Sequence, residues 1–424
     1  MTKEWSKDSS NIFERFAAGI DEAISNGEKL DCVDRDLEYG LSLQNQRLNR
    51  FGIKMKLNIT PRGAWTEGLD FGSRWSDEHF ACHTEVRTCK KDESYYNKDG
   101  RRLYRKVDNY KLNQTVTDVK SPVAVADREY KCPSCGAILK VSQLMEGCPY
   151  CGTKFKTSEL YPKVSNFYFN YDIGYKSGRH GKLAWKIIPI AIGAIHLPFL
   201  FYSCCMSLMS DRPGGSIGIM LAGLCVALVF GIPGGYCVAY WMDIFKYQNR
   251  SDKYTPMTQY KESRAAFEEN MKKFSPEFSY EFFASKTVSM IKMLIYSDKP
   301  SELAFYNGPA LDPAFLDIIN VSSLGAVGIT KIEIIGEYVV ISADVHLEDT
   351  YYTKEGQIKV SNDVLHVIMK KNITKPVNFG FNITSLHCPN CAGTYDATKS
   401  KICPFCGTSN RIEDVDWSVE YLGR

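Results

Sequence analysis

The chain has 424 residues, with 52 lysine and arginine residues against 49 aspartate and glutamate residues, and 44% of its residues are hydrophobic. This composition excludes a disordered, collagen-like or coiled-coil protein, and the length predicts two or three domains with hydrophobic cores. A net charge of +3 gives no overall basic field of the kind that favours nucleic-acid binding. Fifteen cysteines are unusual for a chain of this length, so their positions have to explain them.

The first part of the chain is patterned as an α+β domain over residues 1–131. Residues 1–15 are polar and charged, so we expect no secretory signal and a start that stays in the cytoplasm. Helical patterns cover residues 12–26 and 34–49 and are followed by strand-like segments. A returning strand around 164–169 and a basic linker are expected within 153–182.

Eight cysteines form two sets of paired knuckles. The first set is Cys132, Cys135, Cys148 and Cys151, and the second is Cys388, Cys391, Cys403 and Cys406. In each pair two residues separate the cysteines, and the neighbouring Pro and Gly allow the tight turn that brings both thiolates to one ion. Two pairs complete a closed tetrahedral shell, so we predict two structural zinc ions, in ribbons over 132–152 and 388–407.

Other uses of these cysteines are less favoured. A rubredoxin-like iron site has the same knuckles and is the main alternative, whereas disulfides are disfavoured because cytoplasmic thiols stay reduced. A third metal set is conceivable from Cys82, Cys89, His79 and His83. Alternation along a strand would, however, place the adjacent Cys82 and His83 on opposite faces. Cys32, Cys82 and Cys89 are therefore expected to be core thiols.

Two long runs without charged residues follow. Residues 187–210 are 24 uncharged positions and residues 213–242 are 30, and each exceeds the roughly 20 apolar residues that a helix needs to cross a bilayer. Only Asp211 and Arg212 separate the runs. We therefore predict a transmembrane hairpin with helices over 186–210 and 214–242, and a pair of buried core helices is the alternative.

Basic residues predict the orientation of this hairpin. Seven flank the two runs and one lies between them; in chain order they are Lys176, Arg179, Lys182, Lys186, Arg212, Lys246, Arg250 and Lys253. The positive-inside rule then places both flanks, and both termini, on the cytoplasmic side of the inner membrane. Gly231 and Gly235 have a GxxxG spacing that allows helices to approach closely, although glycine is common in membrane spans.

The region after the hairpin is patterned as a helical stalk (256–274) and an α+β domain (275–387). Phe278, Phe282, Ile291 and Ile295 mark one face of a helix from about 277 to 296. Beyond a stretch that contains Pro and Gly, residues 341–348 alternate apolar and polar, which predicts a half-buried strand. Further strands are expected around 363–370, around 378–383 before the ribbon, and around 417–421 in the closing segment 408–424.

The two ends of the chain match at an offset of 256 residues. Residues 92–100 read DESYYNKDG and residues 348–356 read EDTYYTKEG, and the same offset carries Cys132 onto Cys388. Each motif ends on the Gly that a hairpin turn demands. Two matches in one register predict an internal duplication of a hairpin, a following strand and a ribbon.

A family resemblance rests on the segment 276–422. Its FSYEFFASK helix, LDPAF turn, YYTKEG hairpin, CPNC and CPFCG knuckles and closing DVDWSVEYL resemble the zinc-ribbon-bearing bacterial branch of the Tim-forty-four-like domain family. That family is related to the carboxy-terminal domain of the mitochondrial import-motor tether. The resemblance implies a cone of the nuclear-transport-factor-two-like type with an apolar pocket, and membrane-associated tethering or lipid contact without catalysis. Import activity is not implied, because the import motor has neither ribbons nor this hairpin.

The predicted fold is therefore α+β, with two cone-like domains that each carry a zinc ribbon and are joined by a two-helix transmembrane hairpin. The predicted function is a non-catalytic, membrane-anchored scaffold that binds a protein partner, an apolar ligand or the inner-leaflet surface. Nucleic acid is not expected, because neither knuckle loop has a basic cluster. The alternatives are an iron electron carrier and a cone-fold isomerase or dehydratase, for which Asp344 and His346 form the one acid-base pair on a single strand face.

Overall fold

The computed structural model describes residues 5–61, 70–76, 80–120, 129–132, 137–152, 162–171, 177–209, 213–254, 257–375, 386–388, 390–391, 394–398, 400–409 and 411–424. The chain forms two compact units. The larger unit combines residues 1–171, its first half, with residues 257–424, its second half. Residues 172–256 form the second, helical unit.

The first half places two helices against an antiparallel sheet. Its elements are α1 (Trp5–Asn26), α2 (Arg35–Phe51), β1 (Lys54–Pro61), β2 (Asp70–Ser76), β3 (Phe80–Tyr96), β4 (Arg102–Val119), β5 (Glu129–Lys131), β6 (Ile138–Lys140), α3 (Val141–Glu146) and β7 (Lys163–Tyr171). The strand order is β1-β3-β4-β7, and β2 also pairs with β3. The Asp34 carboxylate caps α2 by accepting from the Leu37 N–H, and Gly52 ends it with a φ of 65°.

The second half repeats this arrangement. After two helices of the helical unit, its elements are α6 (Met257–Lys272), α7 (Tyr280–Tyr296), β8 (Ile318–Ile335), β9 (Tyr338–Tyr352), β10 (Ile358–Asn372), β11 (Leu386–His387), β12 (Thr394–Tyr395) and β13 (Ser418–Gly423). The strands of its antiparallel sheet lie in the order β8-β9-β10-β13. They thus follow one another across the sheet in chain order, as β1, β3, β4 and β7 do in the first sheet. The predicted helix 277–296 and the strands predicted around 341–348, 363–370 and 417–421 are confirmed.

One long strand was not predicted from the pattern. β8 occupies the stretch that was expected to be a connection containing Pro and Gly, and it pairs with β9. Its register shifts at three places, one of them between Ser323 and Val327, where the chain has Gly325. These irregularities break the two-residue alternation by which a strand is recognised. The strand expected around 378–383 lies outside the described residues.

Both halves have the same hairpin turn. In the first half the Asn97 N–H donates to the Arg101 carbonyl at 3.0 Å and the Gly100 N–H donates to the Asn97 carbonyl. In the second half Thr353 and Gly356 make the corresponding two bonds, each 2.9 Å long. Gly100 and Gly356 have φ values of 78° and 75°, which favour glycine at this position of the turn.

The two halves share buried side chains. Leu43 of α2 belongs to the hydrophobic core of the second half, and Ile319 of β8 belongs to the core of the first. The alternation of buried and partly exposed residues along β9 stops at Glu348, Asp349 and Thr350, which are all buried. The hairpin end of β9 is therefore covered on both faces, as expected where one half packs on the other.

Two buried cations also connect the halves. The Arg47 guanidinium donates to the carbonyl of Leu316 at 2.7 Å and to that of Ile295 at 2.8 Å. Lys286 of α7 lies 3.4 Å from Asp36 of α2 and 3.0 Å from Asp416. Asp416 and Asp36 raise the pKa of Lys286 against the opposing effect of burial. Carbonyls of the second half thus satisfy Arg47, and one carboxylate from each half satisfies Lys286.

The helical unit contains α4 (Ser177–Met209) and α5 (Pro213–Tyr254). Stretches Leu183–Met209 and Ile217–Met242 are long and apolar enough to cross a membrane, judged by length and composition. Only 6% and 17% of their most apolar windows are buried. A pair of core helices in a water-soluble protein would instead be mostly buried, because only helices with a polar face are exposed to water.

α4 and α5 run antiparallel and touch through small residues. The α5 residues spaced four apart on the buried side are Gly223, Ala227, Gly231, Gly235 and Ala239. A Cβ atom added at Gly231 would lie 3.0 Å from Ile192 Cα, and one added at Gly235 would lie 2.8 Å from Ile188 Cα. The close approach that the GxxxG spacing allows is therefore present, and it requires glycine at both positions.

Candidate metal centres

The second cysteine cluster has the geometry of a four-thiolate site. The Sγ atoms of Cys388, Cys391, Cys403 and Cys406 all lie within 4.8 Å of one another. Cys388 and Cys406 are 3.6 Å apart, and so are Cys391 and Cys403. A tetrahedral ion with metal–sulfur bonds of about 2.3 Å requires sulfur–sulfur distances of about 3.8 Å. The cluster can therefore hold a metal ion with little movement of its side chains.

Hydrogen bonds around the second knuckle of this cluster favour the thiolate form of Cys406. The Gly407 N–H donates to the Cys403 carbonyl at 2.9 Å, and Gly407 has a φ of 74°. The Thr408 hydroxyl lies 3.2 Å from Cys406 Sγ and accepts from the Asn390 amide at 3.0 Å. Hydrogen bonds from the hydroxyl and the backbone of Thr408 lower the pKa of Cys406 to about 6. Cys406 is thus a thiolate at neutral pH, the form that binds metal.

The same cluster is attached to the core of the second half. Cys388 and Cys403 are buried, whereas Cys391 and Cys406 are exposed. The two buried cysteines belong to one hydrophobic cluster with Ile341 of β9. Metal binding at this site therefore acts on the packing of the sheet as well as on the ribbon.

The first cluster is described for three of its four predicted ligands. Cys132, Cys148 and Cys151 lie within 4.8 Å of one another, and Cys132 is 3.7 Å from Cys151. Cys135 lies outside the described residues. The Gly152 N–H donates to the Cys148 carbonyl at 2.7 Å with a φ of 73°, as Gly407 does in the second knuckle. Cys132 and Cys148 pack with aromatic residues of the first sheet.

The donor set limits which metal fits. Soft thiolates in a tetrahedral set suit zinc or iron, and hard oxygen-preferring cations are disfavoured. Across the described ranges, groups of three or more ligand-type side chains occur at these two places. The third set considered from the sequence is not assembled there: His83 Nε2 contacts Glu85 at 2.9 Å, and His79 lies outside the described residues.

The acid considered for an enzyme, Asp344, has a second histidine beside it, which was not predicted. Asp344 Oδ1 lies 2.9 Å from Nδ1 of His366, the residue opposite it on β10. The Asp344 and His366 side chains are 31% and 38% exposed, so the pair lies at the surface. Burial lowers the pKa of the neighbouring His346. The sequence missed His366 because the register of β9 against β10 determines the partner.

The structure establishes an α+β unit with two antiparallel sheets, two cysteine clusters that can hold metal, and two apolar helices. Comparison with known protein families, with curated protein sequences and with solved structures finds no match to this chain. The resemblance to the Tim-forty-four-like family therefore stays a prediction. The cone fold and the absence of catalysis, which that resemblance implied, stay predictions with it.

Proposed function

We propose that this chain is a non-catalytic, membrane-anchored scaffold whose larger unit is stabilised by two structural zinc ions. The observation that carries the proposal is that the segments before and after the two apolar helices fold into one compact unit. A bilayer cannot divide a single core, so two crossing helices must leave and return on the same side. Such a unit is fixed to the membrane through two points of attachment, as a tether requires.

The proposal places this unit in the cytoplasm of the inner membrane, with both termini there. The flanking lysine and arginine residues support this orientation through the positive-inside rule. A reducing cytoplasm also keeps cysteine thiols available for metal binding, because disulfides seldom persist there. Zinc in the two ribbons contributes on the order of 10 kcal/mol to the folding of small units.

Internal duplication explains why the two halves correspond. It is supported by the shared strand order, the identical turn hydrogen bonds at Asn97 and Thr353, and the matching knuckle glycines. In this proposal, a gene for one helix-sheet-ribbon unit was doubled and the membrane helices were inserted between the copies. Buried contacts such as those of Arg47 then make the two copies act as an intramolecular dimer.

Electron transfer by iron is the second function that an observation favours. Cys391 and Cys406 are exposed, and an iron site needs such exposed ligands to pass electrons to a partner. Iron and zinc share the tetrahedral thiolate geometry, so the geometry does not distinguish the two metals. The colour of the purified protein does. A purified protein that is red when oxidised would replace the scaffold with an electron carrier.

The partner surface of the scaffold is proposed to include the ribbon tips. Tyr150 and Phe405 occupy the same position between the cysteines of the second knuckle in each ribbon. They are 75% and 66% exposed, so each ribbon presents one aromatic side chain of the kind that dominates protein–protein contacts. Exposed aromatic side chains beside a rigid metal site are good anchors for a protein partner.

Photo-crosslinking in intact membranes tests this proposal. A photoreactive residue at Phe405 should give a discrete protein adduct, whereas one at Lys299, which is exposed and paired with Glu302, should not. Phe405→Ala in a chain that carries the photoreactive group at Tyr150 should reduce the adduct if both tips meet one partner. Equal labelling at Phe405 and Lys299, or no adduct at either tip, would reject the partner surface.

A further inference from the structure

A cavity lies inside the larger unit, between its two halves. Its walls come from α2, β7, α7 and β8, and its volume is about 40 Å³. A water molecule needs about 10–15 Å³ of such space, so the cavity can hold about three waters or one small ligand. Because both halves supply its walls, the cavity exists only when they are packed together. It requires neither bound metal nor a membrane, so it goes beyond the scaffold function.

One cation in this cavity has no acidic partner. The Lys292 ammonium lies over the Phe167 ring, 5.0 Å from its centre. Within the described ranges, the one charged neighbour that shifts its pKa is a second cation, Lys91. Burial and Lys91 lower the pKa of Lys292 to about 8. The ammonium is therefore still charged near neutral pH, and that charge lacks a counter-ion.

The other charged side chains that line the cavity have ionic partners. Lys91 Nζ lies 2.6 Å from Glu93, and Asp36 lies 3.4 Å from Lys286, which also pairs with Asp416. Among the charged lining residues, Lys292 is therefore the one cation for which the described ranges supply no acidic partner. A partly buried charge without a counter-ion is costly, and an anionic ligand would remove part of that cost.

Hydroxyl groups, amide groups and apolar side chains line the same cavity as Lys292. Ser289 is one helical turn from Lys292 on α7, and Ser322 lines the cavity from β8. Leu37 and Phe167 provide apolar wall on the first-half side. Besides its amides and the paired side chains of Asp36 and Lys91, the lining thus offers one unpaired cation, hydroxyl donors and hydrophobic surface, which suits a ligand with one anionic end and an apolar body.

We propose that this cavity binds a small monocarboxylate. The carboxylate accepts hydrogen bonds from Lys292, Ser289 and Ser322, and the short carbon chain lies against Leu37 and Phe167. Inorganic phosphate fits less well, because it carries about 1.5 to 2 negative charges at neutral pH against a single unpaired cation and has no apolar part. The cavity volume restricts the carbon chain to a few atoms.

Calorimetric titration of the full-length protein in detergent tests the proposal, with propionate as the probe and propionamide as its uncharged analogue. Propionate should bind saturably and propionamide should not. Lys292→Met should weaken propionate binding by about tenfold or more, because a charge-assisted hydrogen bond is lost. Lys331→Met is the matched control, because Lys331 is exposed and paired with Glu333. It should bind like the unaltered protein.

A second variant tests the cavity space separately from the charge of Lys292. Ser289→Leu retains Lys292 but fills the cavity, and it should also abolish binding while thermal unfolding confirms that the protein is folded. Equal propionate affinity in Lys292→Met, equal binding of propionamide, preferential binding of phosphate, or no binding at all would overturn the proposal. None of these outcomes bears on zinc content or membrane anchoring, so failure here is distinguishable from failure of the scaffold.

Discussion

Asp349 is a buried acid that weakens the fold at neutral pH. Its side chain is fully buried on β9, close to the carboxyl group of Asp363. Burial and the neighbouring Asp363 raise the pKa of Asp349 well above its usual range. The folded protein therefore keeps a proton that the unfolded chain releases above about pH 4. Stability is highest below that pH and falls as the pH rises toward the folded-state pKa.

Asp349→Asn should raise the free energy of unfolding at pH 7, on the order of 1 kcal/mol, because a neutral amide has no proton to hold. The same change should have little effect near pH 4. Thermal unfolding in detergent at both pH values measures this. Asp344→Asn, at the exposed pair with His366, is the control and should change little at either pH. A loss of stability at pH 7 in Asp349→Asn would show that the carboxyl is charged and satisfied.

Arg47 is predicted to be the most important single contact between the halves. Its side chain is fully buried, and its guanidinium serves carbonyls at the end of α7 and just before β8. Arg47→Met would leave these buried carbonyls without a donor, and we expect a loss of about 3 kcal/mol or more. Arg50→Met removes an arginine that is 40% exposed and paired with Asp298. That control should cost at most about 1 kcal/mol. Equal effects of the two changes would contradict the role of Arg47.

At the scale of elements, the glycine contact between α4 and α5 is open to a matched test. Gly231→Leu would drive a side chain into the Ile192 backbone, whereas Gly234→Leu would add one where nothing lies within 4 Å. Forcing a large side chain into a close contact costs about 1–3 kcal/mol. The Gly231→Leu protein in detergent should therefore unfold at a lower denaturant concentration than the unaltered protein, and the Gly234→Leu protein should not. The helix packing would be wrong if both variants behaved alike.

Local patterns predicted much of the fold and the site. The knuckle spacing identified the cysteines that the structure brings together, the charge-free runs identified the apolar helices, and periodicity identified α7 and β9. β8 was missed because its glycines and register shifts remove the alternation. His366 was missed because strand register, which no local pattern encodes, places it opposite Asp344.

Contacts between the halves were missed for a related reason. Arg47 reaches the Ile295 carbonyl across 248 sequence positions, and Gln44 donates to Asn320 across 276. Such residues are surface-like in a local window, because each half alone would expose them. Their burial is decided by the packing of the two halves, and a duplicated sequence gives no sign of whether its copies associate.

At the scale of the whole molecule, the single larger unit makes a prediction about membrane topology. Short tags at both termini should be protected from an impermeant reagent in sealed cells. A tag inserted after Asp211, between the two apolar helices, should be accessible as the matched control. One protected and one accessible terminus would be incompatible with a common core for the two halves. Two accessible termini would reverse the proposed orientation.

Metal content is the most direct test of the central claim, that two thiolate sites stabilise the larger unit. The account predicts about two zinc ions per full-length chain by elemental analysis. Cys388→Ser should retain about one, with a lower melting temperature because Cys388 belongs to the core of the second half. Cys237→Ser, at an exposed position of α5, should retain two. A metal-free protein with intact thiols, or one that contains iron in place of zinc, would contradict the account.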